Sequence, residues 1–401
     1  MINFKKIIIV TLFLFLNIYM LAKEPLLTLV LMVKDEAHVI QETIATYVHD
    51  DDVAFFIFDT GSTDATLEKA QEFFVERSIK NYAFAQEPFI DFATSRNRAL
   101  DLARQQFPQV PYMIMPDAEW YLNDIEALLG FCLEHLDDQI PCYLLRILSS
   151  SLDFYSVRLM KSHYDLFFVG VVHEVLNFGS AYKVPDSIYF RLGNTQVGRD
   201  KSAIRWLRDR DLLLKSYHDN PHDPRTVFYL AQTYACLGDF ANACKYYEIR
   251  THMQGWSEEN FMAYYKLGDA FESRVALEGH KMWQKALDYY LRAYEYRPSR
   301  AEPLIRIAQY YLNKQCMALS FLFAQRAAQV PYPQDDVLFV EKYMYDFIRH
   351  DILGRCAWYI KEYDSGEAAL RLAIKSFPNY THLQNNLRFY IDRKEKLAFA
   401  A

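Results

Sequence analysis

Two different periods run along the chain. From Leu26 to about Tyr189, short apolar runs alternate with amphipathic stretches. Leu26–Val33 is a continuous apolar run, the pattern of a strand covered on both faces. Residues from about 36 to 48 suit a helix. Val53–Phe58 is a second buried run, ending at Asp59, and residues from about 64 to 77 form an amphipathic helix. A short strand near Tyr82–Ala85 follows, then a helix from about 92 to 106, then a strand over Tyr112–Met115 that stops just before Asp117. Strand–helix–strand alternation at this spacing predicts a parallel, Rossmann-like α/β sheet. Such sheets bind ligands beyond the carboxyl ends of their strands. Asp59 and Asp117 both occupy such ends.

After about Lys201 the pattern is helical throughout, with a spacing of about 34 residues that resembles tetratricopeptide repeats. The clearest copy has Leu230, Ala231 and Tyr234 on one helix, a turn at Leu237-Gly238-Asp239, and Ala243 and Tyr247 on the next. A second has Leu267, Gly268 and Phe271, then Ala286, Tyr290, Ala293 and Pro298, with an insertion between its helices. A looser third runs through Ile307, Ala308, Tyr311, Ala324 and Ala327, and the last through Leu353, Gly354, Leu370, Ala373 and Pro378. An irregular helical bundle is the alternative reading, and either way the region is all-α. One repeat cannot bury its own face, so stacking is required, and the stack offers a concave surface to a protein partner. Turn formers Gly193, Asn194, Gly198 and Asp200 put the linker near Leu192–Lys201. The expected division is therefore an α/β domain over 25–195 and a helical-repeat domain over 200–398.

Residues 1–24 stand apart. Lys5 and Lys6 precede an apolar run from Ile7 to Ala22, broken only by Thr11 and Asn17. At about 16 residues the run is shorter than the roughly 20 of an ordinary spanning helix. A signal peptide and a short membrane anchor both fit it, which makes export or membrane association the two expectations. The 401 residues, 16% of them aromatic, suffice for two or three domains with full cores. A net charge of −7 without a basic block argues against a nucleic-acid partner. Six cysteines include no CxxC pair and read as small buried thiols.

Four segments carry candidate chemistry. In FDTGSTDAT, residues 58–66, a strand ends in Asp59 and Gly61 permits a tight turn. Ser62, Thr63 and Asp64 serve as helix caps or as ligand contacts, whereas Asp59 at the strand end can accept from a base or a ribose. In MPDAEW, residues 115–120, Asp117 and Glu119 can present two hard oxygen donors to one divalent cation that also holds substrate phosphates. In DFATSRNRAL, residues 91–100, Arg96 and Arg98 near a helix start are either phosphate contacts or surface charges. In FVGVVHEVL, residues 168–176, His173 and Glu174 are either a metal ligand and a general base or a structural pair. No P-loop or G-x-G-x-x-G is present, which removes kinase and dehydrogenase chemistry of those types.

Taken in order, LVLMVKDEAHVI, FDTGSTDAT, DFATSRNRAL, MPDAEW and GVVHEVL resemble the family-2 glycosyltransferases of the GT-A fold. More narrowly they resemble the branch that carries tetratricopeptide-like repeats C-terminally. HDPRTVFYLAQTY, RPSRAEPL and DDVLFVEKYMYD also look like that branch, so the resemblance covers nearly the whole chain after residue 25. It implies a GT-A domain that transfers a sugar from a nucleotide-sugar donor, UDP-linked, with inversion, to an acceptor that is a glycan, a lipid or a protein. It implies that Glu36, Asp59 and Asp64 hold the nucleoside and that Arg96 sits near the diphosphate. Asp117 and Glu119, with His173, would hold Mn²⁺ or Mg²⁺, and Glu174 would be the base. Three positions depart from the branch pattern: Asp35 stands for Asn, Ala65 for Gly, and Asp117-Ala118-Glu119-Trp120 for D-A-D-E. The competing expectation is a non-catalytic scaffold with a decayed transferase site and a partner-binding repeat domain.

Overall fold

The computed structural model describes residues 24–149, 153–178, 181–193 and 196–400. The N-terminal apolar run and Asn194 of the expected linker lie outside the described residues. Among those residues no helix is long and apolar enough to cross a membrane. The chain forms two compact units. Among the described residues, the first takes those within 24–145, 157–169 and 175–191, and the second those within 146–156, 170–174 and 192–400. Two short segments that the apolar pattern assigns to the α/β half thus belong to the helical unit. His173 and Glu174 go with them.

The first unit is built on strands β1 (Leu27–Val33), β2 (Val53–Asp59), β3 (Tyr82–Gln86) and β4 (Tyr112–Ile114). β1 pairs in parallel with β2 and β4, and β2 with β3, in the order β3-β2-β1-β4. Every residue of β2 is buried, as its unbroken apolar run requires. The sheet is not all-parallel as expected: β7 (Asp153–Lys161) runs antiparallel to β4. β6 (Cys142–Leu148), β8 (Tyr189–Leu192) and β5 (Trp120–Leu122) extend the order beyond it. Strand spacing reveals alternation but not direction.

Helix α1 covers Ile40–Ala45, α2 Thr66–Glu76, α3 Phe92–Gln106 and α4 Ile125–Glu134. α3 starts at Asp91, whose carboxylate accepts from the Thr94 amide at 2.7 Å, and its apolar side packs Ala93, Ala99, Leu100 and Ala103 against Val30, Phe56 and Phe58 of the sheet. α1 is much shorter than the 36–48 helix the periodicity predicts. Asp35 adopts a left-handed backbone (φ 55°), so the segment after β1 is a loop before it is a helix.

The second unit begins with α5 (Gln196–Asp219), so the turn formers Gly198 and Asp200 of the expected linker lie within a helix. The helix pairs that follow are α6 (Pro224–Cys236) with α7 (Phe240–Thr251), α8 (Ser257–Ser273) with α10 (His280–Tyr296), α11 (Glu302–Asn313) with α12 (Met317–Gln329), and α13 (Arg349–Tyr359) with α14 (Tyr363–Ser376); α15 (Thr381–Ala400) closes the series. The insertion in the second pair is the four-residue helix α9 (Val275–Glu278). The unit is a tetratricopeptide-like stack. Asp223 and Asp239 cap α6 and α7, and Pro224 occupies the first turn of α6. Small residues set the helix spacing: a Cβ on Gly268 would lie 2.6 Å from the Tyr290 ring.

The RPSRAEPL and DDVLFVEKYMYD segments meet inside this unit. Arg297 pairs with Asp336 at 2.5 Å, and Arg300 binds Glu302 at 2.7 Å and Asp336 at 3.2 Å. The Tyr345 hydroxyl donates to Glu302 at 2.6 Å, and Arg300 also donates to the carbonyls of Leu338 and Phe339. Arg300 and Glu302 are fully buried. Burial alone would raise the Glu302 carboxyl, but the Arg300 guanidinium outweighs it and holds the group below the ordinary range. Removing one partner would strand a buried charge, which explains why the two segments go together.

Gly268→Ala should cost about 1–3 kcal/mol, because the methyl overpacks against Tyr290. Gly130→Ala meets no atom within 4 Å and should be neutral or stabilising by up to ~1 kcal/mol, since Gly130 lies inside α4. Urea unfolding of the two variants checks the contrast; equal midpoints would contradict the close approach.

Candidate functional site

Asp59 ends β2 with its carboxylate fully buried. A buried carboxylate needs hydrogen bonds, and the following turn supplies them. The amides of Gly61 and Ser62 donate at 3.3 and 3.1 Å, the Ser62 hydroxyl at 2.5 Å, and the Gln86 amide from β3 at 2.8 Å. Gly61 takes φ 101°, a conformation that side chains disfavour, which lets the chain fold back over the carboxylate. Asp59 therefore organises the loop and does not present its oxygens to solvent.

The loop is tied to the segment after β1. The Asp35 amide donates to the Ser62 hydroxyl at 2.9 Å, and the Asp35 carboxylate accepts from the Thr63 amide at 2.6 Å and the Thr63 hydroxyl at 3.1 Å. The Thr63 amide above all holds the Asp35 carboxyl below its usual range. Asp35 in place of Asn keeps both needs of the position: tolerance of positive φ and an acceptor for Thr63. Asp64 accepts from the Ala37 amide at 3.2 Å and from the amide and hydroxyl of Thr66, and the Glu36 amide donates to the Thr66 hydroxyl at 2.7 Å. Asp64 and the Glu36 backbone thus join the two loops.

Asp117 follows β4 and sits between two guanidiniums. Arg96 on α3 donates to its Oδ1, and Arg158 on β7 lies 3.9 Å from its Oδ2. Both arginine side chains are at least nine-tenths buried, whereas the Asp117 side chain is 40% exposed. Arg96 rests over the Phe168 ring at 5.6 Å and Arg158 over the Trp120 ring at 4.8 Å, which fixes both guanidiniums. Asn97, beside Arg96, exchanges two hydrogen bonds with the Phe168 backbone at 2.9 and 2.6 Å. Arg98 instead makes an exposed pair with Glu87 at 2.8 Å. Glu119, with φ 66°, lies 3.4 Å from Nε2 of His38, and the other nitrogen of His38 lies 3.9 Å from Glu36.

This arrangement does not fit a Mn²⁺ or Mg²⁺ site. Asp117 is engaged by two guanidiniums and Glu119 by an imidazole. Among the described residues no three His, Cys, Asp or Glu side chains converge to hold a metal ion.

A cleft of about 520 Å³ opens where β1, β2 and β3 end. Lys34, Thr60, Gly61, Gln86, Glu87, Pro88 and Phe89 line it. The Phe89 ring meets Phe92 edge-on at 5.1 Å.

In the second unit, His173 (φ 53°) stacks on Tyr229 at 4.0 Å, and its carbonyl accepts from Arg225 at 2.8 Å. Arg225 in turn pairs with Glu259 at 2.5 Å. The protein packed around the imidazole, then the charges of Arg225 and Arg205, lower its pKa to about 3, although the residue as a whole keeps solvent contact. Burial, and to a lesser degree the Glu174 charge, raise the carboxyl of Asp209 and push Tyr229 up to about 12. His173 and Glu174 thus stand among the side chains of α5 and α6. Sequence reasoning missed Arg158, His38 and Asn97. A lone cation inside the apolar run Val157–Met160 was the signal available for Arg158.

No family model matches the chain, and no curated protein matches it. Among solved structures, the chain is similar to YrrB, a TPR protein with an unusual peptide-binding site, at 14% identity and a TM-score of 0.35, over 46% of this chain and 84% of that one. It is similar to a thermophilic TPR protein of Thermus thermophilus at 16% identity and a TM-score of 0.32, over 49% and 96% of the two chains. The C-terminal part of a TPR repeat-containing protein from Cytophaga hutchinsonii is similar at 14% identity and a TM-score of 0.37, over 47% and 66%.

Asp59→Ala would leave the Gly61 and Ser62 amides and the Gln86 side chain without their acceptor, a loss of roughly 3 kcal/mol. Asp59→Asn keeps one acceptor oxygen and should lose less. Urea unfolding of the full chain measures both, and wild-type stability in Asp59→Ala would refute the loop-organising role.

Proposed function

We propose that the first unit binds a nucleoside-diphosphate sugar and that the chain is a glycosyltransferase of the kind its motif order resembles. The observation that carries this reading is the position of the cleft. It lies beyond the carboxyl ends of three adjacent parallel strands, where open α/β sheets bind nucleotides. Its wall includes Thr60 and Gly61, which the Asp59 turn holds in place. Lys34 and the Gln86 amide offer polar contacts, and Phe89 an aromatic face for a base. Asp59, Asp64 and Glu36 contribute by shaping the two loops. The acceptor is a glycan, a lipid or a protein, and the tetratricopeptide-like unit is the part offered to a protein partner.

A second reading, a nucleotide-binding scaffold without transfer, draws support from one observation. The carboxylates of Asp59 and Asp117, expected to hold the nucleoside and the metal ion respectively, are both engaged by the protein's own donors. Calorimetric titration of the full chain with UDP, GDP and their sugar conjugates, followed by assay of nucleotide release with and without candidate acceptors, separates the readings. Binding with release supports the transferase. Binding without release or transfer supports the scaffold. No binding of any nucleoside diphosphate would overturn both.

A further inference from the structure

We infer that Gln86 reads the base of the nucleotide, its side-chain oxygen accepting from the ring N–H of a uracil or a guanine. This rests on the nucleotide-binding reading above. Gln86 ends β3 in register with Asp59 at the end of β2, and it lines the cleft. Its Nε2 donates to Oδ2 of the fully buried Asp59 at 2.8 Å. The same Oδ2 accepts from the Gly61 and Ser62 amides, which can only donate, so the end of the Gln86 amide turned toward it has to be the nitrogen. The oxygen is then the other end. Gln86 is exposed, and its Oε1 neither bonds to a described residue nor lies among the buried polar atoms that lack a partner. It is an accessible acceptor with a fixed orientation, on a residue of the cleft wall.

The other side chains of that wall are less suited to the task. Lys34 can only donate, and Pro88 and Phe89 have no polar side-chain atom. Both oxygens of Glu87 are held by Arg98, at 2.8 to 3.0 Å. The Thr60 hydroxyl is buried and donates to the Val33 carbonyl at 3.1 Å. Asp59 itself, the acid expected to hold the nucleoside, is closed off by its own loop, and Gln86 carries an acceptor from it out to the surface. Donation to an anion polarises the amide and strengthens its carbonyl as an acceptor. N3–H of uracil and N1–H of guanine, each flanked by a carbonyl, are more acidic than the exocyclic amines of cytosine and adenine and are the better donors to such an oxygen.

Nucleotides methylated on that ring nitrogen lose the donor and keep the rest. The test is calorimetric titration of the full chain with UDP and N3-methyl-UDP, and with GDP and N1-methyl-GDP, for wild type, Gln86→Lys and Gln86→Met, with the melting temperature recorded for each. Lysine keeps the bulk and a donor for Asp59 but has no acceptor, and methionine keeps the bulk with only a weak acceptor. Wild type should bind the parent nucleotide about tenfold tighter than its methylated form, and the pair that shows this identifies the base. In both variants the ratio should fall to within about threefold, whatever happens to the affinity itself. A purely structural role would weaken both forms alike and leave the ratio unchanged. Should one variant fail to fold, the other still decides. An unchanged ratio in the variants, or a wild type that binds parent and methylated forms equally, would overturn this inference and leave the nucleotide reading standing. No binding of any of the four nucleotides by wild type would overturn both.

Discussion

A carboxylate at the end of a fully buried strand has to find its hydrogen bonds at once, and in the first unit this requirement shapes all that surrounds it. Asp59 recruits the Gly61 and Ser62 amides, the Ser62 hydroxyl and Gln86 of the next strand. That forces the turn at Gly61 and aligns the end of β3 with the end of β2. Ser62 and Thr63 then bind Asp35, and Asp64 and Thr66 bind the backbone of residues 36 and 37. Three strand ends become one rigid rim, and the cleft lies along it. An isolated hydrogen bond here is worth about 1 kcal/mol net, but a network fully satisfied in low dielectric is costly to break in any one member.

The same logic of paired buried charge recurs at Asp117 and in the helical unit, with different consequences. Arg300, Glu302 and Asp336 are closed off from water, so their network holds two segments together and can do little else. The Arg96–Asp117–Arg158 cluster has buried guanidiniums but a carboxylate that is 40% exposed.

Much of this architecture could be read from the chain. Continuous apolar runs located β1 and β2, apolar spacing located α3, and small residues at helical spacing located the repeat pairs. Three things were hidden for physical reasons. Strand direction depends on connections, so the antiparallel β7 was invisible in periodicity. The assignment of 170–174 to the helical unit depends on contacts far away in sequence, among them His173 with Tyr229 and Arg225. The partner of Asp117 could not be deduced from its own motif, because Arg158 lies 41 positions later in a strand that reads as apolar. Motif order found the acids; only geometry showed that Asp59 faces its own loop and that Asp117 faces arginine.

The most direct test is hydrogen–deuterium exchange of the full chain with and without saturating UDP. Slowed exchange is expected in residues 34–37, 59–66 and 86–89, the segments that form the rim of the cleft, with the helical pairs unchanged. Protection confined to the helical unit, or no protection of the rim, would contradict a nucleotide site built from strand-end loops.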